Sequence, residues 1–206
     1  MLSFPHYGLY AITAESHTTP EQLAQAVNAA LRGGAKVIQY RAKSTQNRLT
    51  EAKLLLAQCH AFQVPLIIND DVELALAIGA DGVHLGKDDG SIVEARRRLG
   101  EKAIIGVSCY NSVERALEAQ VAGASYVAFG RFFPSSSKPN APCAQLETLV
   151  SAKQLLHLPI VAIGGITPAN GQSLLEAGAD LLAVIDGVFG ASDPEHAALA
   201  FKPLFA

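Results

Sequence analysis

The sequence predicts a closed (β/α)8 barrel, the TIM-barrel architecture, on three observations. Eight short apolar runs rich in Val and Ile alternate with helical patterns along 206 residues. A Gly-Ala pair recurs at 34–35, 79–80, 123–124 and 178–179, each time just before the second, fourth, sixth and eighth run. The intervals of about 45, 44 and 55 residues suit one βαβα unit repeated four times. Finally, the first run, GLYAITAESH, carries no glycine fingerprint of the kind an open doubly wound sheet would place after its first strand.

The elements follow in order. GLYAIT (8–13) is the first strand, and TPEQLAQAVNAALRGG behind it opens with Thr19 as an N-cap and Pro20 at the first helical position. Leu23, Ala26, Val27, Ala30 and Leu31 give that helix one apolar face. The later strands are VIQYR (37–41), LIIND (66–70), GVHLG (82–86), IIGVS (104–108), YVAFG (126–130), IVAIGG (160–165) and LLAVI (181–185). Near-continuous apolar runs of this kind belong to strands covered on both faces, as in parallel sheets. DVELALAIG and SIVEARRRLG supply helices after the third and fourth strands, and another is expected after Ile166-Thr167-Pro168.

With 50% hydrophobic residues, the whole of 1–206 is expected to form a single domain around one sizeable core. A net charge of -3 and a pI near 6.1 give no basic field that would attract nucleic acid or an anionic membrane. Cys59, Cys109 and Cys143 fall in no disulfide or zinc-ligand spacing, which points to a reducing compartment. The opening MLSFPHYGLYAIT lacks signal-peptide character and no run approaches 18 apolar residues, so a soluble, cytoplasmic protein is expected.

Barrels of this class place chemistry at the C-terminal ends of their strands. Gln39, Arg41 and Lys43 occupy alternate positions at the second strand end, so the two-residue period points all three towards the barrel mouth, where two cations suit an anion. Asn69 and Asp70 end the third strand and Asp89 follows the fourth; the two carboxylates either hold Mg²⁺ against substrate phosphate or cap the helices that follow. Ser108 ends the fifth strand with a hydroxyl, beside a Cys109 thiol that has no adjacent base. GRFFPSSSKPNAP after the sixth strand brings Ser135, Ser136, Ser137 and Lys138, long enough for a loop that closes over bound phosphate. Gly164-Gly165 after the seventh strand and Ile185-Asp186-Gly187 after the eighth mark the two loops whose amides often bind phosphate in barrels. His84 lies inside a strand and reads as structural; no His-based dyad or triad stands out.

Together these motifs resemble the thiamine-phosphate synthase family from LYAIT to LLAVI. The family's Q-x-R-x-K is QYRAK here, I-N-D is IINDD, G-V-H-L-G-Q-x-D is GVHLGKDD, and P-T-x-T-K is PSSSK. The resemblance implies a transferase of thiamine biosynthesis that joins hydroxymethylpyrimidine diphosphate to a (carboxy)thiazole phosphate, releasing pyrophosphate. By matched position, Gln39, Arg41, Lys43, Asn69, Ser108 and Lys138 would bind the pyrimidine diphosphate, with Arg41, Lys43 and Lys138 acting in catalysis. Asp70 and Asp89 would hold Mg²⁺, and Ser135, Ser137, Gly165, Ile185 and Asp186 would face the thiazole phosphate.

The implied mechanism is dissociative: pyrophosphate departs, a pyrimidine-stabilised carbocation forms, and the thiazole nitrogen captures it. Small-molecule substrates are the implied partners, without nucleic acid or membrane, and homo-oligomerisation is left open. The sequence departs from the family at Ser135 and Ser137, where threonines are usual, at Asp186, where a serine is usual, at Ala14 in place of an aspartate, and at Lys87 in place of a glutamine. A carboxylate at 186 would repel phosphate unless it turns outwards and only the backbone N–H is used. Two alternatives share the fold: a thiazole tautomerase, which does not need the diphosphate machinery, and a non-catalytic thiamine-phosphate binding protein.

Overall fold

A computed structural model describes residues 1–14, 19–42, 47–86, 89–134 and 143–206. Eight parallel strands close into a barrel in sequence order: β1 (Gly8–Ile12), β2 (Val37–Tyr40), β3 (Leu66–Asn69), β4 (Gly82–Leu85), β5 (Ile104–Tyr110), β6 (Tyr126–Gly130), β7 (Ile160–Ile163) and β8 (Leu181–Val184). Tyr10 pairs with Val37 of β2 on one side and Ala183 of β8 on the other, which closes the ring. The TIM barrel expected from the alternating runs is therefore the observed fold.

Helices between consecutive strands form the outer layer: α1 (Pro20–Arg32), α2 (Arg48–Ala61), α3 (Val72–Ile78), α4 (Ile92–Leu99), α5 (Val113–Val121), α6 (Leu146–Leu155) and α7 (Gln172–Glu176). After β8 come α8 (Asp186–Phe189), α9 (Pro194–Leu199) and a 3₁₀ turn at Lys202–Phe205. The Thr19 hydroxyl accepts the Gln22 amide at 3.3 Å, capping α1 as its sequence anticipates.

The Gly-Ala repeat is a structural device used four times. Gly34, Gly79, Gly123 and Gly178 all adopt positive φ, and the amide of the alanine after each donates back to the last turn of its helix, reaching Ala30, Ala75, Ala119 and Leu174. A left-handed glycine closes the helix, and the alanine tucks into the core. The next amide, of Lys36, Asp81, Ser125 or Asp180, then donates to the preceding odd-numbered strand at Leu9, Leu66, Ile105 or Ile160. Each quarter thus delivers its second strand in register with its first.

Two cores result from the two-residue period of the strands. Leu9, Ile38, Ile68, Val83, Ile105 and Phe129 face outwards into the helix layer. Tyr10, Ile12, Val37, Ile67, Ile104, Tyr126, Val161 and Leu181 fill the barrel interior. Phe4 enters that interior and stacks on Tyr126 with ring centroids 4.1 Å apart. The Tyr126 ring fits because position 106 is glycine: a Cβ there would lie 2.0 Å from Tyr126 Cζ.

The element boundaries correct the sequence reading in several places. β2 ends at Tyr40, so Arg41 stands just beyond the strand, and β5 continues past Ser108 to Tyr110 through a register shift. Ile166-Thr167-Pro168 leads into turns, and a short α7 begins only at Gln172. Among the described residues no helix is long and apolar enough to cross a membrane.

Candidate active site

A cavity of about 390 Å³ opens at the C-terminal ends of the strands. Gln39, Arg41, Asn69, Ser108, Gly165, Ile185 and Asp186 all line it, so seven positions singled out from sequence meet there. Asn69 also lines a neighbouring cavity of about 470 Å³, which Asp70 and Asp89 share. The Asn69 amide donates to Asp70 Oδ2, linking the two spaces. Lys43, Ser135, Ser137 and Lys138, with Ser136 and most of the loop expected to close, lie outside the described residues.

Local geometry explains how these groups are delivered. Thr13, just past β1, accepts the Arg41 amide at 2.8 Å on its hydroxyl and donates that hydroxyl to the Arg41 carbonyl at 3.2 Å. Arg115 on α5 donates to the carbonyls of Ser108 at 2.8 Å and Gly86 at 3.3 Å, tying the ends of β5 and β4 together. Asp70 adopts φ 62, a left-handed conformation that Asp tolerates better than most residues, and its amide donates to the His84 carbonyl at 2.8 Å.

The capping alternative for the two aspartates does not hold. Asp71 caps α3 by accepting the Leu74 amide at 2.9 Å, and Ser91 caps α4 by accepting the Glu94 amide. Asp89 instead turns back to accept the Gly86 amide on Oδ2 at 2.9 Å. The helix ends therefore give no reason for carboxylates at 70 and 89. Asp70 and Asp89 place hard oxygen donors in a cavity that Asp71, Glu73 and Glu94 also line, and carboxylate oxygen is the donor type that suits Mg²⁺.

On the opposite rim, Phe132 and Phe133 extend the pairing of β6 by donating to the carbonyls of Ile163 and Gly164. This brings the backbone against the Gly-Gly turn: a Cβ on Gly164 would lie 2.3 Å from Arg131 Cβ, and one on Gly165 would lie 2.3 Å from the Pro134 carbonyl oxygen. Both glycines also have positive φ, 106 and 65, so position and conformation alike require them. Asp186 opens α8, is exposed, and follows Ile185 at the cavity edge.

Several cavity residues escaped the sequence reading. Tyr10, His84, Tyr126, Tyr110 and Arg131 also line it. His84, read as merely structural, joins a buried polar chain: its Nε2 lies 2.9 Å from Ser108 Oγ and its Nδ1 2.9 Å from the Tyr126 hydroxyl. The Tyr126 and Tyr10 hydroxyls are 2.7 Å apart, and Gln39 Nε2 donates to Tyr10 at 2.8 Å. A Ser–His contact therefore exists where none was expected, because it crosses strands 24 residues apart in sequence. The inward period of β1 and β6 was the available signal: Tyr10 and Tyr126 stand in register with apolar inner residues, where a hydroxyl demands a partner. Burial pushes both tyrosines well above their ordinary range.

Residues 9–188 match the family model described as thiamine monophosphate synthase. A thiamine-phosphate synthase of Nitrosococcus oceani is 56% identical over 201 residues, covering 96% of this chain and 92% of that one. The chain belongs to the thiamine monophosphate synthase family.

Membership in the thiamine monophosphate synthase family makes it an enzyme, a transferase of thiamine biosynthesis. A second relative named thiamine-phosphate synthase, from Methylococcus capsulatus, is 50% identical over 206 residues, covering 99% of this chain and 92% of its own. Among solved structures, the thiamine phosphate pyrophosphorylase from Pyrococcus furiosus superposes with a TM-score of 0.86 at 35% identity, covering 97% of this chain and 95% of that chain. An orotidine 5'-phosphate decarboxylase from Pyrococcus horikoshii, at 14% identity and a TM-score of 0.70, shares the fold alone.

Proposed function

We propose that this chain condenses hydroxymethylpyrimidine diphosphate with a (carboxy)thiazole phosphate, giving thiamine phosphate and pyrophosphate. The observation that carries the reading is the adjoining of two spaces. A cavity with Gln39, Ser108 and Arg41 on its wall meets, at Asn69, a second one bearing Asp70 and Asp89. An aminopyrimidine fits the amide and hydroxyl, while its diphosphate fits the cations. The Gly165 and Ile185–Asp186 loops across the cavity offer backbone to the thiazole phosphate.

The reaction proceeds with loss of pyrophosphate first and capture of the pyrimidine carbocation by the thiazole nitrogen. Its demand on the protein is stabilisation of negative charge as the diphosphate departs, together with alignment of the incoming nitrogen. Arg41 supplies a forked cation at the mouth, and Thr13 fixes its backbone. Lys43 and Lys138, matched in the QYRAK and PSSSK motifs, add charge to the same group. Ser135 and Ser137 retain the hydroxyls of the usual threonines and are assigned to the thiazole phosphate by their match to the PSSSK motif. Mg²⁺, held by Asp70 and Asp89, would supply further charge neutralisation on the leaving diphosphate.

Asp186, exposed and at the cavity edge, is assigned to the thiazole phosphate through its backbone N–H, because a carboxylate aimed at the phosphate would oppose it. The tautomerase alternative has no use for the Asp70–Asp89 pair. The reading is tested by following pyrophosphate with each substrate alone and with both, with and without Mg²⁺. Release that requires the metal and the pyrimidine diphosphate supports it; isomerisation of the thiazole phosphate without release would replace it with the tautomerase reading.

A further inference from the structure

We propose that the five-residue chain Gln39–Tyr10–Tyr126–His84–Ser108 is a polarised hydrogen-bond relay that makes the cavity select a 4-aminopyrimidine over its 4-oxo counterpart, with Tyr10, Tyr126 and His84 as positioning residues. This rests on the pyrimidine reading above and concerns how that ring is recognised.

The polarity follows from counting protons along the chain. Gln39 donates Nε2–H to the Tyr10 oxygen. Among the described residues, the Tyr10 hydroxyl has Gln39 and Tyr126 as its hydrogen-bonding partners, so its single proton goes to Tyr126. The Tyr126 hydroxyl is also reached by the Gln39 amide, a donor, so its own proton goes to the acceptor that remains, His84 Nδ1. An imidazole that accepts on Nδ1 carries its proton on Nε2, which then donates to Ser108 Oγ. Ser108 is left with its own O–H to donate, and Gln39 with its amide oxygen to accept, at two positions that line the same cavity.

One acceptor and one donor form the complement of an aminopyrimidine edge, in which the exocyclic amine donates and the adjacent ring nitrogen accepts. A 4-oxo ring presents the opposite pair. To bind it, the Gln39 amide would have to turn over and all three intervening groups reverse their protons, because each buried hydroxyl has one proton to place. The same polarity keeps His84 from removing the Ser108 proton, so the Ser–His contact orients the serine and does not activate it as a nucleophile. Burial keeps both tyrosines protonated throughout the working pH range, which preserves the relay.

The test compares kcat/KM for the 4-amino and 4-oxo pyrimidine diphosphates in the full chain and in Tyr126→Phe. Tyr10→Phe is a second interruption, and Tyr40→Phe a control that removes a hydroxyl bonded to Glu51, outside the cavity. Sites built to hydrogen-bond a polar group reject mismatched analogues by on the order of 10⁴. Interrupting the relay lets each end adjust alone, so the amino preference is expected to fall by about tenfold or more in either interruption variant and to stay unchanged in the control.

In the unaltered protein, ¹⁵N shifts of His84, assigned against His84→Gln, are expected to show a neutral ring protonated on Nε2. An undiminished preference in both interruption variants, or a His84 protonated on Nδ1, would overturn the relay while leaving the synthase reading intact. Absence of thiamine phosphate from the unaltered chain would instead remove the functional reading, and the relay's role with it.

Discussion

The Thr13 hydroxyl engages both backbone polar groups of Arg41, accepting its amide at 2.8 Å and donating to its carbonyl at 3.2 Å. A single hydroxyl beyond β1 thus fixes the residue that follows β2, on the side of the barrel where charge must be met. Thr13→Val keeps the shape of the side chain and loses both bonds. It is expected to lower kcat/KM by about tenfold through misplacement of Arg41, while Thr13→Ser restores most of the rate. Steady-state kinetics beside a thermal melt separate this from loss of fold.

Asp89 is held by Gly86, and the contact leaves no room for a larger residue: a Cβ at 86 would lie 2.3 Å from Asp89 Oδ2. Gly86→Ala is expected to displace the carboxylate and raise the Mg²⁺ concentration needed for half-maximal rate, with smaller change at saturating metal. Asp89→Asn is expected to raise it further. Metal titrations of both variants, read as rate and as calorimetric binding, check this; an unchanged metal requirement in Asp89→Asn would take Asp89 out of the metal set.

Stability depends on a staple away from the cavity. Arg96 of α4 donates to the carbonyls of Gly100, Glu101 and Ala103 through one nitrogen and to the Gly123 carbonyl and Ser125 Oγ through the other. Arg96→Ala leaves these acceptors without their charged donor and is expected to cost about 2 kcal/mol. For a chain of this size that corresponds to a melting temperature lower by roughly 4–8 °C. Arg96→Lys, with one point of charge in place of a fork, is expected to recover only part.

Burial pushes the Cys59 and Cys109 thiols up to about 12 from an ordinary value of 9.0. The folded chain therefore keeps two protons that the unfolded chain releases above pH 9. Their contribution to stability is complete below about pH 9 and is lost as the pH climbs towards 12. Cys143 is exposed. Iodoacetamide at pH 8 is expected to modify Cys143 alone in the native protein and all three thiols after denaturation, as counted by intact mass and peptide mapping.

The barrel was legible in the sequence because its signals are local and repeated: Val/Ile runs that need cover on both faces, and Gly-Ala pairs whose left-handed glycine ends each helix in the same way. Gln39, Asn69 and Ser108 were legible because strand ends are where polar residues lack a packing reason. Asp70 and Asp89 were not separable from helix caps by sequence, since the choice between neighbours such as Asp70 and Asp71 lies in a backbone turn at φ 62. Tyr10, Tyr126 and His84 were missed because their partners come from other strands, up to 116 residues away, and a buried tyrosine looks like core until its hydroxyl is followed. The end of β5 was misjudged for a related reason, since a bulge carries it on to Tyr110.

The most direct test mixes the purified chain with hydroxymethylpyrimidine diphosphate, the thiazole phosphate and Mg²⁺, and quantifies thiamine phosphate and pyrophosphate beside Arg41→Ala. Equal amounts of the two products, abolished by EDTA and reduced by about 10²-fold or more in the variant, are the expected result. Thiazole isomerisation without either product, or full activity in Arg41→Ala, would contradict it.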